Sequence, residues 1–185
     1  MSIPAFKVLL VGDPNVGKSS LIRRLLLGEF DEEYRTTIGV DLSAVVIEGD
    51  LDKAVVLTVI DLGGQKEFSE LRTHYYRDAH YTVLVYDITS KESFEALPGW
   101  LAGLRLALNK DNTARTEGIV LGNKADIEQS RIIKQEEGQS YADILGWRFF
   151  ETSAKSGLNV EKAFHEIANQ LLTGAGKSKS KDKKI

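Results

Sequence analysis

Eight residues constrain this chain more than any others: Gly12-Asp13-Pro14-Asn15-Val16-Gly17-Lys18-Ser19, a complete G-x-x-x-x-G-K-S loop. Before it stand Phe6-Lys7-Val8-Leu9-Leu10-Val11, a short apolar, β-branched run suited to a buried strand. After it, residues 19–27 read as a helix closed by Gly28. Strand, loop and helix in that order form the setting this motif requires. Successive backbone N–H groups and the helix N-terminus then converge on one concave spot that binds phosphate. Asn15, Val16, Gly17, Lys18, Ser19 and Ser20 are the candidate phosphate-binding residues. Lys18 reaches the β- and γ-phosphates of a nucleoside triphosphate, and the Ser19 hydroxyl ligates Mg²⁺. A glycine-rich turn with an exposed lysine is the plain alternative, and the flanking strand and helix argue against it.

The rest of the chain alternates apolar β-type runs with helix-period stretches. Runs at 41–48 and 55–61 are joined by the turn-rich residues 49–53 and read as an antiparallel hairpin. A polar, partly helical segment follows at 65–78. Then come a strand at 81–86, a helix at 90–108 interrupted by Pro98-Gly99, a strand at 118–121 and a helix at 134–146. A strand at 148–151 and a helix at 159–172 end the series. This order predicts an α/β fold: a P-loop NTPase domain with a six-stranded, mostly parallel sheet and helices on both faces. Ligands on such a sheet lie beyond the carboxyl ends of its strands. The remaining chemistry is therefore expected at the other strand ends.

Strand three ends Asp61-Leu62-Gly63-Gly64-Gln65. Asp61 is placed as the second Mg²⁺ determinant, acting through water. Gly64 offers an N–H that approaches the γ-phosphate with no Cβ in the way, and Gln65 can hold an attacking water. Strand five ends Asn123-Lys124-Ala125-Asp126. A carboxylate there accepts from guanine N1–H and the exocyclic amine together, a donor pair adenine lacks. Lys124 lies along the base and the phosphate loop, and Asn123 ties loops together. Strand six runs into Ser153-Ala154-Lys155, where the small Ala154 lets its N–H reach the guanine carbonyl oxygen. Guanine is thereby selected over adenine.

Assembled, these residues resemble those of a Ras-superfamily small GTPase, most closely the Rab branch, over residues 5–172. Rab-like phrases include Thr37-Ile38-Gly39-Val40-Asp41, Tyr75-Tyr76-Arg77 and Leu84-Val85-Tyr86-Asp87-Ile88-Thr89. The resemblance implies that Thr37 ligates Mg²⁺ and senses the γ-phosphate, that Phe30 packs on guanine, and that Tyr34 closes over the phosphates. It also places Ser153, Ala154 and Lys155 in the base-binding loop. The implied activity is slow GTP hydrolysis with Mg²⁺, with Gln65, Lys18 and Thr37 as catalytic residues and GTP/GDP as the bound nucleotides. Effector, exchange-factor and GTPase-activating proteins are expected on segments 38–42, bounded by Ile38 and Leu42, and 68–76, bounded by Phe68 and Tyr76. The protein is expected to be a monomeric molecular switch, possible roles including membrane trafficking.

Four features depart from the Rab pattern. Pro14 replaces a small residue near the water-positioning glutamine. It motivates a second reading, a GTP-locked binding module with negligible hydrolysis. Gly63-Gly64 is similar to Arf-type proteins. Leu42 and Ile60 stand where Rab proteins usually carry aromatics, leaving Tyr76 as the only aromatic of that trio. Rab proteins end in prenylated cysteines and this chain has none: either its C-terminus is truncated or the protein does not use prenyl anchoring, as for an archaeal or otherwise unprenylated Rab-like GTPase. A P-loop kinase is a third reading, which Asn123–Asp126 argues against.

Composition bounds the setting. At 185 residues with 42% hydrophobic residues the chain suits one domain, expected over 1–174. The lack of cysteine excludes disulfides and thiolate sites and fits a reducing cytosol, so a cytoplasmic location is expected. Net charge is −3. Residues 177–185 hold five lysines against one aspartate, a +4 tail on a body of −7. The tail, 175–185, is expected to be disordered. It is read first as solubilising and second as a weak, reversible contact with anionic membrane, worth roughly 1 kcal/mol per lysine. An acidic body argues against nucleic acid. Histidines 74, 80 and 165 show no ligand-like clustering, and Trp100, Trp147 and Asp87 read as structural.

Overall fold

The structure is a computed structural model that describes residues 3–31, 37, 39–50, 53–63, 74–108 and 117–181, with side chains up to 174. Tyr34, Ile38, Gly64, Gln65 and segment 68–73 lie outside the described residues, so the expectations placed on them are not addressed by it.

Six strands form one sheet: β1 (Ala5–Val11), β2 (Val40–Gly49), β3 (Lys53–Leu62), β4 (Tyr81–Asp87), β5 (Gly118–Asn123) and β6 (Arg148–Glu151). Their order is β2-β3-β1-β4-β5-β6. Only β2 and β3 pair antiparallel, as the hairpin predicts. The other neighbours are parallel. Every residue of β4 and β5 is buried, as expected of parallel strands covered on both faces.

The pleat divides the core in two. Val8 and Leu10 of β1 with Val83 and Val85 of β4 meet α1 (Lys18–Leu27) and α5 (Val160–Lys181) through Leu21, Ile22, Phe164 and Ile167. Leu9, Val11, Leu84 and Tyr86 face the other way. There they meet α3 (Leu97–Leu108) through Leu97, Leu101 and Leu104, and α4 (Gln135–Leu145) through Ala142. Chain order reverses direction across β1, whose neighbours are β3 and β4. The crevice of such a sheet opens there, at its carboxyl end.

Two boundaries differ from expectation. The helix at 90–108 breaks at Ala96, not at Pro98-Gly99. A short α2 (Lys91–Glu95), capped by the Ser90 hydroxyl accepting from the Ser93 N–H, ends there, and α3 starts at Leu97. Pro98 then falls in the first turn of α3, where its missing N–H costs nothing. The last helix was expected to stop at Leu172, but its backbone runs on to Lys181. It passes through Gly174 and Gly176 with no proline to stop it, and the Thr173 hydroxyl donates back to the carbonyls of Asn169 and Gln170, both at 2.9 Å.

Candidate functional site

The register lines up the strand ends. Leu10 stands opposite Asp61, Val11 opposite Leu84, Asp87 opposite Asn123, and Gly122 opposite Glu151. Residues distant in sequence therefore share one rim.

At the phosphate end the loop is shaped by two glycines. Gly12 has φ +150° and Gly17 φ +93°, and a Cβ would collide with the Val85 carbonyl at the first and the Asn123 amide at the second. Only glycine fits at either position. The Lys18 side chain is buried, its ammonium donating to the carbonyls of Gly12 and Asp13, each at 2.8 Å. The loop thus folds around its own lysine. The Leu21 N–H donates to the Gly17 carbonyl at 2.9 Å, leaving the first-turn amides of α1 without intrahelical acceptors, as at any helix start. Such a terminus favours an anion.

Beside it converge the three sequence-predicted Mg²⁺ ligands. Ser19 Oγ and Thr37 Oγ1 are 2.7 Å apart. Both hydroxyls hydrogen-bond Asp61 Oδ2, the Ser19 contact short and the Thr37 one 3.3 Å. Asp61 is 1% exposed, and its other oxygen, Oδ1, is buried with no hydrogen-bond partner. Burial pushes this carboxyl up from its ordinary value, opposed by the Ser19 hydrogen bond, the Lys18 charge and the Thr37 hydrogen bond. Two hydroxyls and one carboxylate make a hard, all-oxygen donor set of the kind Mg²⁺ takes, with waters and phosphates completing its octahedron. An orphaned buried oxygen in that set fits a cation. Among the described residues no cluster of three His, Cys, Asp or Glu side chains offers another metal site.

At the base end almost every side chain is fixed by its neighbours. Asn123, 1% exposed, donates from Nδ2 to the Val16 carbonyl at 2.8 Å. Its Oδ1 accepts from the Thr152 hydroxyl at 3.2 Å and the Ala154 N–H at 3.3 Å. One amide thus joins phosphate loop to base loop. The Ala154 N–H, expected to reach guanine, donates here to Asn123. Lys124, with φ +68°, ion-pairs through Nζ with Asp87 Oδ2 at 2.5 Å. Asp126 Oδ1 accepts from the Ser153 hydroxyl at 2.5 Å. Phe30 is half-buried against the core beside α1.

Three side chains do work that sequence reasoning missed. Asp87 was read as a strand end, yet it holds Lys124 while Oδ1 accepts from the Thr89 N–H and hydroxyl at 2.8 and 2.7 Å. Its signal was available: a carboxylate at the carboxyl end of a buried strand. Arg24, on the last turn of α1, donates to the carbonyls of Ala154 at 2.7 Å and Lys155 at 2.5 Å, and to that of Gly28. Trp100 was read as packing, but its Nε1 donates to Asp13 Oδ1 at 2.7 Å.

The expected Rab-type surface is altered. Leu42 is 56% exposed, whereas Ile60 is 2% and Tyr76 4% exposed. Leu42 alternates outward on the edge strand β2, while the other two join the core beneath α3. Among the described residues no helix is long and apolar enough to cross a membrane.

Residues 7–173 match the model of the Ras family. The chain is 41% identical to Ras-related protein Rab-13 of Mesocricetus auratus over 177 residues, 95% of this chain and 84% of that one. It is 42% identical to Ras-related protein Rab-26 of Rattus norvegicus, over 95% of this chain and 67% of that one. It is 38% identical to Ras-related protein RABD1 of Arabidopsis thaliana, over 96% of this chain and 84% of that one. The chain belongs to the Ras superfamily, in its Rab branch: it is a small GTPase that binds GTP or GDP with Mg²⁺ and hydrolyses GTP.

Proposed function

We propose that this GTPase is a slow switch whose nucleotide lies along the rim just described. The convergence of Ser19, Thr37 and Asp61 beside Lys18 is the observation that carries this reading. Residues 15–20 hold the phosphates. Asn123, Lys124, Asp126 and residues 153–155 hold guanine, with Phe30 against it and Tyr34 over the phosphates. Ser19, Thr37 and Asp61 would hold Mg²⁺, which when bound supplies charge compensation at the β- and γ-phosphates. Lys18 shares that task. Gln65 and the Thr37 carbonyl orient a water in line with the γ-phosphorus. This reading assigns no arginine of the chain to the phosphates, and hydrolysis should therefore be slow. Ras without an activating protein turns over at about 10⁻⁴ s⁻¹, and an activating protein raises this about 10⁵-fold.

Thr37 connects chemistry to signalling. It reports the γ-phosphate through the start of segment 38–42, and Gly64 through segment 68–76, the surfaces on which effectors and regulators dock. Residues 1–174 form the monomeric domain, and the lysine-rich tail makes reversible contact with anionic membrane from a cytoplasmic location.

Nucleotide extraction from purified protein should yield GDP or GTP and no adenine nucleotide. Phosphate release should then proceed over hours and be lost in Gln65→Leu. Wild-type release no faster than that variant would favour the GTP-locked module that Pro14 suggests.

A further inference from the structure

Two consecutive arginines near the end of α1 reach in different directions. Arg24 bonds the base-loop carbonyls of Ala154 and Lys155. Arg23 turns to the chain that leaves the helix. Its Nη1 donates to Asp31 Oδ2 at 3.1 Å, and its Nη2 stands 3.7 Å from Glu29 Oε2. One guanidinium thus grips the residues on both sides of Phe30. A planar fork of five donors can serve two carboxylates at once, which a compact ammonium does less well. The two grips are unequal. The Asp31 side chain is 29% exposed and hydrogen-bonded, whereas that of Glu29 is 64% exposed and beyond hydrogen-bond reach. Arg23 itself is presented from a fixed base: its Nε is buried, and Leu21 and Ile22 just before it lie in the core. The segment it holds belongs to no helix or strand. Without a backbone ladder, side-chain tethers decide how firmly residues 29–31 stay in place. Phe30, between the two carboxylates, rests half-buried on the core beside α1.

We propose that Arg23 is a positioning residue that clamps the chain at Glu29 and Asp31, holds Phe30 as a wall of the guanine pocket, and so sets how long GDP and GTP stay bound. The proposal rests on the reading that Phe30 packs on guanine. The base is the same in both nucleotides, so loss of the clamp should shorten both dwell times alike. The clamp acts through the Phe30 ring, so it should matter little once that ring is gone. An arginine that only stabilised the fold would act whether or not the ring is present.

The test is dissociation of radiolabelled GDP and of a radiolabelled non-hydrolysable GTP analogue from the full chain. Arg23→Ala should speed release of both about three- to tenfold, the range open to a partly exposed ion-pair network. Asp31→Ala should reproduce most of that effect and Glu29→Ala less of it, following distance and exposure. Arg23→Lys should fall between wild type and Arg23→Ala, since the charge remains and the fork does not. The gap between Arg23→Ala and wild type should shrink in about 0.5 M salt, which screens the pairs in the wild type. In a Phe30→Ala background, Arg23→Ala should add less than about twofold, because the two act as one unit. Where Arg23→Ala does not fold, Arg23→Gln keeps most of the stem, drops the charge and makes the same measurement. Unchanged release, acceleration of one nucleotide only, or an Arg23→Ala effect as large without the Phe30 ring as with it would each overturn the proposal. Phe30→Ala alone separates the premise: it should speed GDP release about ten- to a hundredfold, as the loss of one base-stacking ring does. Should it leave release unchanged, Phe30 does not pack on guanine and the proposal falls with that reading. Fast release in Phe30→Ala with none in Arg23→Ala would overturn the clamp and leave the reading standing.

Discussion

The two ends of the site are built on different plans. At the base end, Asn123, Lys124, Asp126, Ser153 and Ala154 are each held by bonds to other protein groups. Those side chains are braced by the protein itself. At the phosphate end, Lys18 is parked on its own loop and Asp61 keeps a buried oxygen without a partner. That end is completed only by ligand. A preorganised half and a ligand-completed half suit a switch: binding energy and specificity come from groups that need not move, and the response to one phosphate comes from groups that must.

Asn123 belongs to both halves, so its loss tests the division hardest. Asn123→Ala strands the buried Val16 carbonyl and the Thr152 hydroxyl, at about 2–4 kcal/mol together. GDP should dissociate about 30- to 1,000-fold faster, since each 1.4 kcal/mol is tenfold. A loss under threefold would mean the loops hold each other without it. Chelation comes next. Removing Mg²⁺ with EDTA should speed GDP release about a hundredfold, because the metal offsets several kcal/mol of charge at the phosphates. Asp61→Ala should abolish that response while leaving guanine-over-adenine preference intact. If preference fell together with the EDTA response, the halves would not be separable.

What the sequence revealed cuts across the two plans. The phosphate loop, Asp61 and Asn123–Asp126 were legible because each is a contiguous string at the end of an apolar run. Their alignment follows from strand order alone. The partners of Asp87, Arg24 and Trp100 were not legible, because each acts on a residue far away in the chain. Asp87 meets Lys124 only because β4 and β5 pair with Asp87 opposite Asn123. Nothing within either segment encodes that register. Arg24 looks like any polar helix residue until its last turn is seen to face the 153–155 loop. Trp100 fits a hydrophobic reading, and spacing alone does not show what its N–H bonds. The end of α5 was misjudged because Gly174 and Gly176 are the residues that ordinarily stop a helix, yet its backbone runs through both to Lys181.

Arg24 is the next probe of the finished half. It fastens two consecutive carbonyls of the base loop to the helix that begins at the phosphates. Arg24→Ala should cost about 1–2 kcal/mol, as charge-assisted bonds that are partly exposed do. GDP release should rise about five- to thirtyfold, with Arg24→Lys between, since one ammonium cannot span both carbonyls. Unchanged release in Arg24→Ala would show that the base loop is braced from its own side alone.

The smallest effect lies under the base end. Tyr86 fills the space over Gly122 and Gly138, and its ring meets Phe94 edge-on at 4.9 Å, but its buried hydroxyl has no hydrogen-bond partner. Tyr86→Phe removes that unsatisfied group and keeps the ring, so thermal stability at pH 7 should rise by about 0–1 kcal/mol. Burial, then the nearby charge of Glu151, raises the Tyr86 phenol above its ordinary value; burial, then Glu166, raises that of Tyr81, which donates to Gln170 at 2.7 Å. The unfolded chain ionises both near pH 10. Their contribution is therefore whole below pH 10 and is lost as pH climbs from there toward the folded values, at about 1.4 kcal/mol per unit for each tyrosine. Denaturant midpoints at pH 9, 10 and 11 should fall in the wild type and fall about half as steeply in Tyr86→Phe from these two groups. Equal slopes would mean that the phenol over Gly122 reaches solvent, and that the preorganised end rests on a softer floor than its hydrogen bonds suggest.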